Sequence, residues 1–221
     1  LNFDDGHAIY RDTFDLITQG LVNNELTHNG EYFSVANMPF PLSAVQKPHP
    51  PLWYGIANPA STEWPAQNGL NVITNQTVAA TKEIIVNYKK TWESTAQVSD
   101  QLPSLGMTRY LVIAKSKEKA LSSARRAYPV WRKSFMALWD LHGKEPIGVR
   151  YPATFDGLME TGQGFAGTSA EVLDEITNQC QESGINYFVS RFAFGNLTYE
   201  ESSESIRLFA EDVMPQLSKL N

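Results

Sequence analysis

Leu52-Trp53-Tyr54-Gly55-Ile56 runs straight into Ala57-Asn58-Pro59-Ala60-Ser61-Thr62, and this junction sets the architecture. The first five residues are apolar, few and bounded by breakers, as a buried strand is. Asn58 before Pro59 is a helix start: an Asn side chain accepts from free N-terminal amides, and Pro at the first helical position gives up a donor that has no partner there. The predicted helix ends near Gly69, and Pro65 inside it removes another donor and kinks or shortens it. A strand that feeds directly into a helix is the joint of a parallel α/β sheet.

The same alternation continues downstream. Residues 70–74 form a second short apolar run, followed by a helical pattern with Ile84, Ile85, Tyr88 and Trp92 on one side. A third strand is predicted over 107–114 and a long helix from Lys117 to about Leu141, kinked at Pro129. Residues 143–167 are glycine-rich and irregular, with Pro146 and Pro152, and read as a lid or binding loop. Thr168-Ser169-Ala170-Glu171 is a capping box ahead of the stripe Val172, Leu173, Ile176 and Cys180, and Gly184 closes that helix. A fourth strand is predicted over 185–194. A second capping box, Thr198-Tyr199-Glu200-Glu201, opens a last helix bearing Ile206, Phe209, Val213 and Leu217.

Upstream, Ile9, Phe14, Ile17 and Leu21 mark a helix from about Gly6 to Val22. Residues 24–51 follow, with a turn signal at Asn29-Gly30, where a small hairpin is expected, and five prolines that impose an extended connection. The chain begins without Met, just before its first helix. It is either an ordinary processed chain or one lacking an N-terminal part, and composition does not choose.

The pattern is one leading helix and four strand–helix units, hence an α/β fold with a parallel sheet. A full (βα)8 barrel needs eight strands and typically about 250 residues. Four strands leave two readings, a small open sheet or half of a TIM-type barrel. At 221 residues, the chain is read as a single domain over 1–221. Hydrophobic residues at 42% and charged residues at 19% exclude disorder and coiled coil. With 18 basic against 24 acidic residues, net −6, no nucleic-acid partner is expected. No apolar run approaches the roughly 20 residues of a membrane span, so no membrane association is expected. The single Cys180 excludes an internal disulfide and a multi-cysteine zinc site and suits a reducing, cytoplasmic setting.

In parallel α/β folds ligands sit at the carboxyl ends of strands, and a helix N-terminus there suits a phosphate. The residues from Ala57 to Thr62 supply small side chains and donors at such a place. The plain alternative is an N-cap, with Asn58 capping Ala60 and Ser61. His7, His28, His49 and His142 are scattered without zinc-ligand spacing, and His28 and His49 are expected at the surface. No nucleophile elbow or Walker loop occurs, and Gly162-Gln163-Gly164 lacks the third glycine of a dinucleotide fingerprint. Arg109 is either a strand-end charge or a pocket residue. Trp131, Phe135 and Trp139, four apart, read as core packing, and Cys180 as a buried inert thiol.

The run from Pro51 to Gly55, with Asn58-Pro59-Ala60-Ser61-Thr62-Glu63-Trp64-Pro65-Ala66-Gln67-Asn68-Gly69-Leu70, resembles the fifth strand and following helix of bacterial luciferase-like flavin monooxygenases. Gly167-Thr168-Ser169-Ala170-Glu171-Val172, Glu182-Ser183-Gly184-Ile185 and the segment from Ser205 to Pro215 are similar to that family's C-terminal end, and the early stretch Asn29-Gly30-Glu31-Tyr32-Phe33 with Pro41 and Gln46-Lys47-Pro48 is also similar to the family. The resemblance implies the C-terminal half of a TIM barrel. It implies reduced FMN, or the deazaflavin F420 in relatives, with dioxygen and a small organic substrate. It also implies a separate flavin reductase. Carried over residue by residue, it assigns the flavin phosphate to Ala57, Asn58, Ser61 and Thr62, and the ring or substrate pocket to Thr74, Asn75 and Gln76. Pro59 and Pro65 depart from the family pattern, and Gln76 stands where an aromatic residue flanks the flavin. A half-barrel leaves open strand edges, so a homo-oligomer is expected. Two alternatives stand beside the monooxygenase: a catalytically silent flavin- or phosphate-binding half-barrel, and an F420-dependent oxidoreductase.

Overall fold

The computed structural model describes residues 5–42, 44–95, 101–146 and 151–219. The chain divides after Leu52 into two compact units.

In the first unit, α1 (Gly6–Val22) precedes the antiparallel strands β1 (Glu25–Asn29) and β2 (Ser34–Pro39). The hairpin forms where Asn29-Gly30 placed it, closed by the Gly30 amide donating to the Phe33 carbonyl at 2.9 Å. Asp12 joins helix to hairpin. Its carboxylate accepts from the amides of Tyr32 and Phe33 at 2.7 and 2.9 Å and pairs with His28 Nε2. His28, expected at the surface, is buried: it shares the covered face of β1 with Leu26 by the two-residue strand period, and Asp12 satisfies its ring.

In the second unit all strands are parallel. β3 (Trp53–Gly55) pairs with β4 (Asn71–Thr74), and β4 with the first residues of β5 (Leu105–Ile113). β5 also pairs with β6 (Gly164–Gly167) along its second half and with β7 (Tyr187–Arg191) along its first. Flanked on both edges, all nine residues of β5 are buried. The expected four strands are therefore five. Among the described residues the sheet does not close into a barrel.

The extra strand lies in the segment expected to be a lid or loop. That stretch holds α5 (Phe155–Glu160) and β6, while residues 147–150 of it lie outside the described ones. Thr154 starts α5 by accepting from the Gly157 amide at 3.1 Å, and Phe155 and Leu158 are fully buried. A Cβ on Gly164 would press on Leu158 at 2.7 Å, so that glycine serves close packing.

Helices cover the sheet. After α2 (Glu63–Gln67), α3 (Val78–Ser94) sets Ile84, Ile85 and Tyr88 against Ile56, Val72 and Leu105, and the Tyr88 hydroxyl donates to the Leu70 carbonyl at 2.6 Å. Each fully buried aliphatic side chain contributes about 1.5–3 kcal/mol. α4 (Lys117–Leu141) runs unbroken through Pro129 and packs Ala120, Ala124 and Tyr128 on Tyr110 and Phe155. Trp131 stacks on Phe135 at 5.0 Å and joins this cluster. α6 (Ser169–Ser183) and α7 (Tyr199–Leu208) begin at the two expected capping boxes, and α6 ends at Gly184 with φ +72°. A π-helical turn, Phe209–Val213, leads into α8 (Met214–Leu217). No helix among the described residues is long and apolar enough to cross a membrane.

Candidate functional site

β3, β4, β5 and β7 run in one direction, and a cleft of about 410 Å³ opens at the carboxyl ends of β3, β4 and β7, against the first half of β5. From the end of β3 and just beyond it come Gly55, Ile56 and Ala57; from the end of β4 and just beyond it, Ile73, Thr74 and Asn75; from β5, Thr108; and from β7, Val189 and Arg191. Parallel register builds it: Gly55 lies beside Ile73 and Thr108 beside Val189, so side chains from neighbouring strands share one face.

Beyond β3 the chain turns at once. Asn58 Oδ1 accepts from the Ala60 amide at 3.0 Å, and the Ser61 amide donates to the Asn58 carbonyl at 2.9 Å. Both amides expected to face a phosphate are thus satisfied within the turn, the arrangement of a plain N-cap. The continuous helix expected from Asn58 is replaced by a 3-10 turn, Pro59–Ser61, and the short α2. Two prolines within seven residues remove the donors that a longer helix would need. Thr62 is buried, and its hydroxyl donates to the Pro59 carbonyl at 3.0 Å. The Ser61 hydroxyl makes no hydrogen bond among the described residues.

Beyond β4, Gln76 Nε2 donates to the Ala57 carbonyl at 2.7 Å, which ties the two strand ends together. Asn75 donates from Nδ2 to the Tyr151 hydroxyl at 3.2 Å, and its carbonyl accepts from Gln163 Nε2 at 2.6 Å. Its Oδ1 is buried without a partner. Of the five residues assigned to the cofactor, Ala57 lines the cleft and Gln76 is bonded to it. Asn58, Ser61 and Thr62 form the adjoining turn.

Sequence reading passed over Thr108, Val189 and Arg191. One signal was present: an arginine two residues beyond the apolar run Tyr187-Phe188-Val189, at the ligand-binding end of a strand. Arg109 is neither a strand-end charge nor a cleft residue. It sits in the middle of β5, wholly buried, with Nε on Gln179 Oε1 of α6 at 2.8 Å. Cys180 is half-buried, and burial pushes its thiol up.

A family model described as luciferase-like monooxygenase matches residues 1–187. The uncharacterized protein y4wF of Sinorhizobium fredii is 28% identical over 208 residues, 94% of this chain and 60% of that protein. Monooxygenase RslO1 from Streptomyces bottropensis superposes with a TM-score of 0.77 at 19% identity, over 98% of this chain and 63% of its own. The oxygenating constituent of 3,6-diketocamphane monooxygenase from Pseudomonas putida, solved in complex with FMN, gives 0.67 at 14% identity, over 98% and 64%. At such identities these two structures show a shared fold. The chain spans about 60% of the length of the relatives it matches. With the family model covering most of its length and the parallel α/β sheet in place, the chain belongs to the luciferase-like monooxygenase family.

Proposed function

We propose that residues 1–221 are the C-terminal part of a flavin-dependent monooxygenase that uses reduced FMN and dioxygen to oxidise a small organic substrate. The observation that carries this reading is the cleft at the carboxyl ends of the parallel strands β3, β4 and β7, closed on one side by Thr108 of β5, at the end of the sheet where such folds hold their ligands. Its residues suit a flavin. A Cβ on Gly55 would meet nothing within 4 Å, so a flat ring can approach that backbone. Ile56 and Ile73 offer apolar walls, and the orphaned Asn75 Oδ1 is a buried acceptor for a ring N–H.

Reduced FMN, when bound, supplies the electrons that activate dioxygen. The chain's own part is positioning. Asn75 and the Ala57 backbone would hold the ring, Gln76 fixes Ala57, and the Ser61 hydroxyl is the donor left for the phosphate. The apolar walls exclude water from the reacting face. The reading includes a separate flavin reductase as the source of reduced cofactor, a cytoplasmic setting suited to the lone Cys180, and a homo-oligomer. β3 and β7 each pair along one edge only among the described residues, and oligomerisation would cover the others.

One observation favours a second reading, a silent flavin- or phosphate-binding module: the described cleft lining holds no carboxylate, histidine or cysteine. Fluorescence titration of FMN, with F420 as competitor, tests cofactor binding. The Asn58→Ala/Ser61→Ala variant is expected to bind FMN about tenfold more weakly, a change of about 1.4 kcal/mol. Unchanged affinity removes the phosphate assignment. Supplying reduced FMN, oxygen and candidate aldehydes or hydrocarbons then separates enzyme from silent binder by the appearance of oxygenated product.

A further inference from the structure

One of the strands that meet at the cleft delivers a cation to it. Arg191, the last residue of β7, donates from Nε to Thr108 Oγ1 at 3.0 Å and from Nη1 to the Tyr110 hydroxyl at 2.6 Å. Its guanidinium carbon lies 4.8 Å from the centre of the Tyr110 ring. Both acceptors are hydroxyls on β5, and both residues are buried. A hydroxyl that accepts from an arginine keeps its own hydrogen to give. Neither hydroxyl has an acceptor for that hydrogen among the described residues, and Arg191 forms no ion pair there. Arg109 follows Thr108 on β5 with its guanidinium turned to Gln179 of α6, where Glu175 partly offsets its charge. In a chain of net charge −6, the described cleft lining holds Arg191 and no carboxylate.

We propose that Arg191 anchors a carboxylate of the substrate, so that the cleft takes an organic acid with an apolar body. The geometry suits that group. With Nε on Thr108 and one Nη1 hydrogen on Tyr110, the second Nη1 hydrogen and Nη2 remain as a planar fork, the shape that two carboxylate oxygens match. The Thr108 hydroxyl hydrogen is a further donor at the same corner. Val189, beside Thr108 and two residues before Arg191, supplies an apolar wall for the body at this corner of the cleft. The hydroxyls of Thr108 and Tyr110 fix the guanidinium before the ligand arrives, which limits the entropy lost on binding. The assignment of this anion to a substrate rests on the monooxygenase reading above.

Calorimetric titration of the 221-residue chain with phenylacetate and with neutral phenylacetamide tests it. Phenylacetate is expected to bind at least tenfold more tightly than the amide. Arg191→Gln is expected to erase that preference, and Thr108→Val to weaken phenylacetate severalfold, with FMN affinity changed less than twofold in either variant. Equal affinity for acid and amide in the unaltered chain overturns the proposal without recourse to any variant. A preference that survives Arg191→Gln also overturns it. If Arg191→Gln weakens FMN as much as phenylacetate, the anion held here belongs to the flavin, and the substrate assignment falls. Selective phenylacetate binding by a chain that does not bind FMN keeps the carboxylate site and removes the flavin reading instead.

Discussion

Gln76 Nε2 and the Ala57 carbonyl oxygen lie 2.7 Å apart, so the chain leaving β4 holds the chain leaving β3. Their strands pair in register just below, and the Gln76 backbone N–H donates to Thr74 Oγ1 at 3.3 Å. Gln76→Leu keeps the bulk and removes the donor. Stability should fall by about 1 kcal/mol, the worth of an ordinary hydrogen bond. FMN affinity should fall about fivefold or more as the backbone at Ala57 loosens. Urea denaturation beside a fluorescence titration reads both; a loss of stability with unchanged affinity would place Ala57 outside the flavin contact.

Helix starts were the most legible features, because caps are local. Thr168 with Glu171 and Thr198 with Glu201 form the capping boxes that their spacing announces, and neither needs a distant partner. β6 was not legible. Gly164-Phe165-Ala166-Gly167 has two glycines and no β-branched residue, and it becomes a strand only because β5 offers an edge far away in sequence. The cleft was half legible. Ala57, Thr74 and Asn75 follow from the strand-end rule, whereas Thr108 and Arg191 meet only through the β5–β7 pairing, which no local pattern encodes.

Glu201 should make the fold acid-sensitive. Burial alone raises its carboxyl pKa, but hydrogen bonds from Arg126, Ser123 and the Thr198 amide outweigh burial and hold it at about 2. A carboxylate depressed in the fold contributes stability above its unfolded pKa of about 4.3, which is lost as pH falls toward 2. Glu201→Gln preserves the capping-box shape and removes the charge. The variant should be less stable at pH 7 by about 2 kcal/mol and should approach the unaltered chain near pH 2. Melting curves across that range check the convergence; parallel curves would show that the charge contributes nothing.

Gly195 should tolerate no side chain. It has φ +58°, and a Cβ there would overlap the backbone carbonyl of Ala127 on α4. A helix carbonyl cannot swing aside as a flexible side chain can. Gly195→Ala should therefore cost about 3 kcal/mol or more. Gly143 is the control: its φ is +60°, and an added Cβ would meet nothing within 4 Å. Gly143→Ala should cost only about 1 kcal/mol, from backbone strain alone. Urea midpoints of the two variants separate crowding from conformation, and equal losses would remove the close approach at Gly195 as the cause.

Arg109 and Gln179 should prove strongly coupled. Arg109 is wholly buried, donating from Nε to Gln179 Oε1 at 2.8 Å and from Nη1 to the Thr108 carbonyl at 2.9 Å, while its Nη2 has no partner. Burial pulls its pKa down to about 9, so the fold holds this cation at a cost. Gln179→Leu removes an acceptor from a buried charge and should destabilise by about 2 kcal/mol or more. Replacing the cation as well, in Arg109→Met/Gln179→Leu, should recover most of that loss, because packed apolar side chains need no partner. A double-mutant cycle in urea measures the coupling. Additive losses would mean that the guanidinium finds other acceptors once Gln179 is gone.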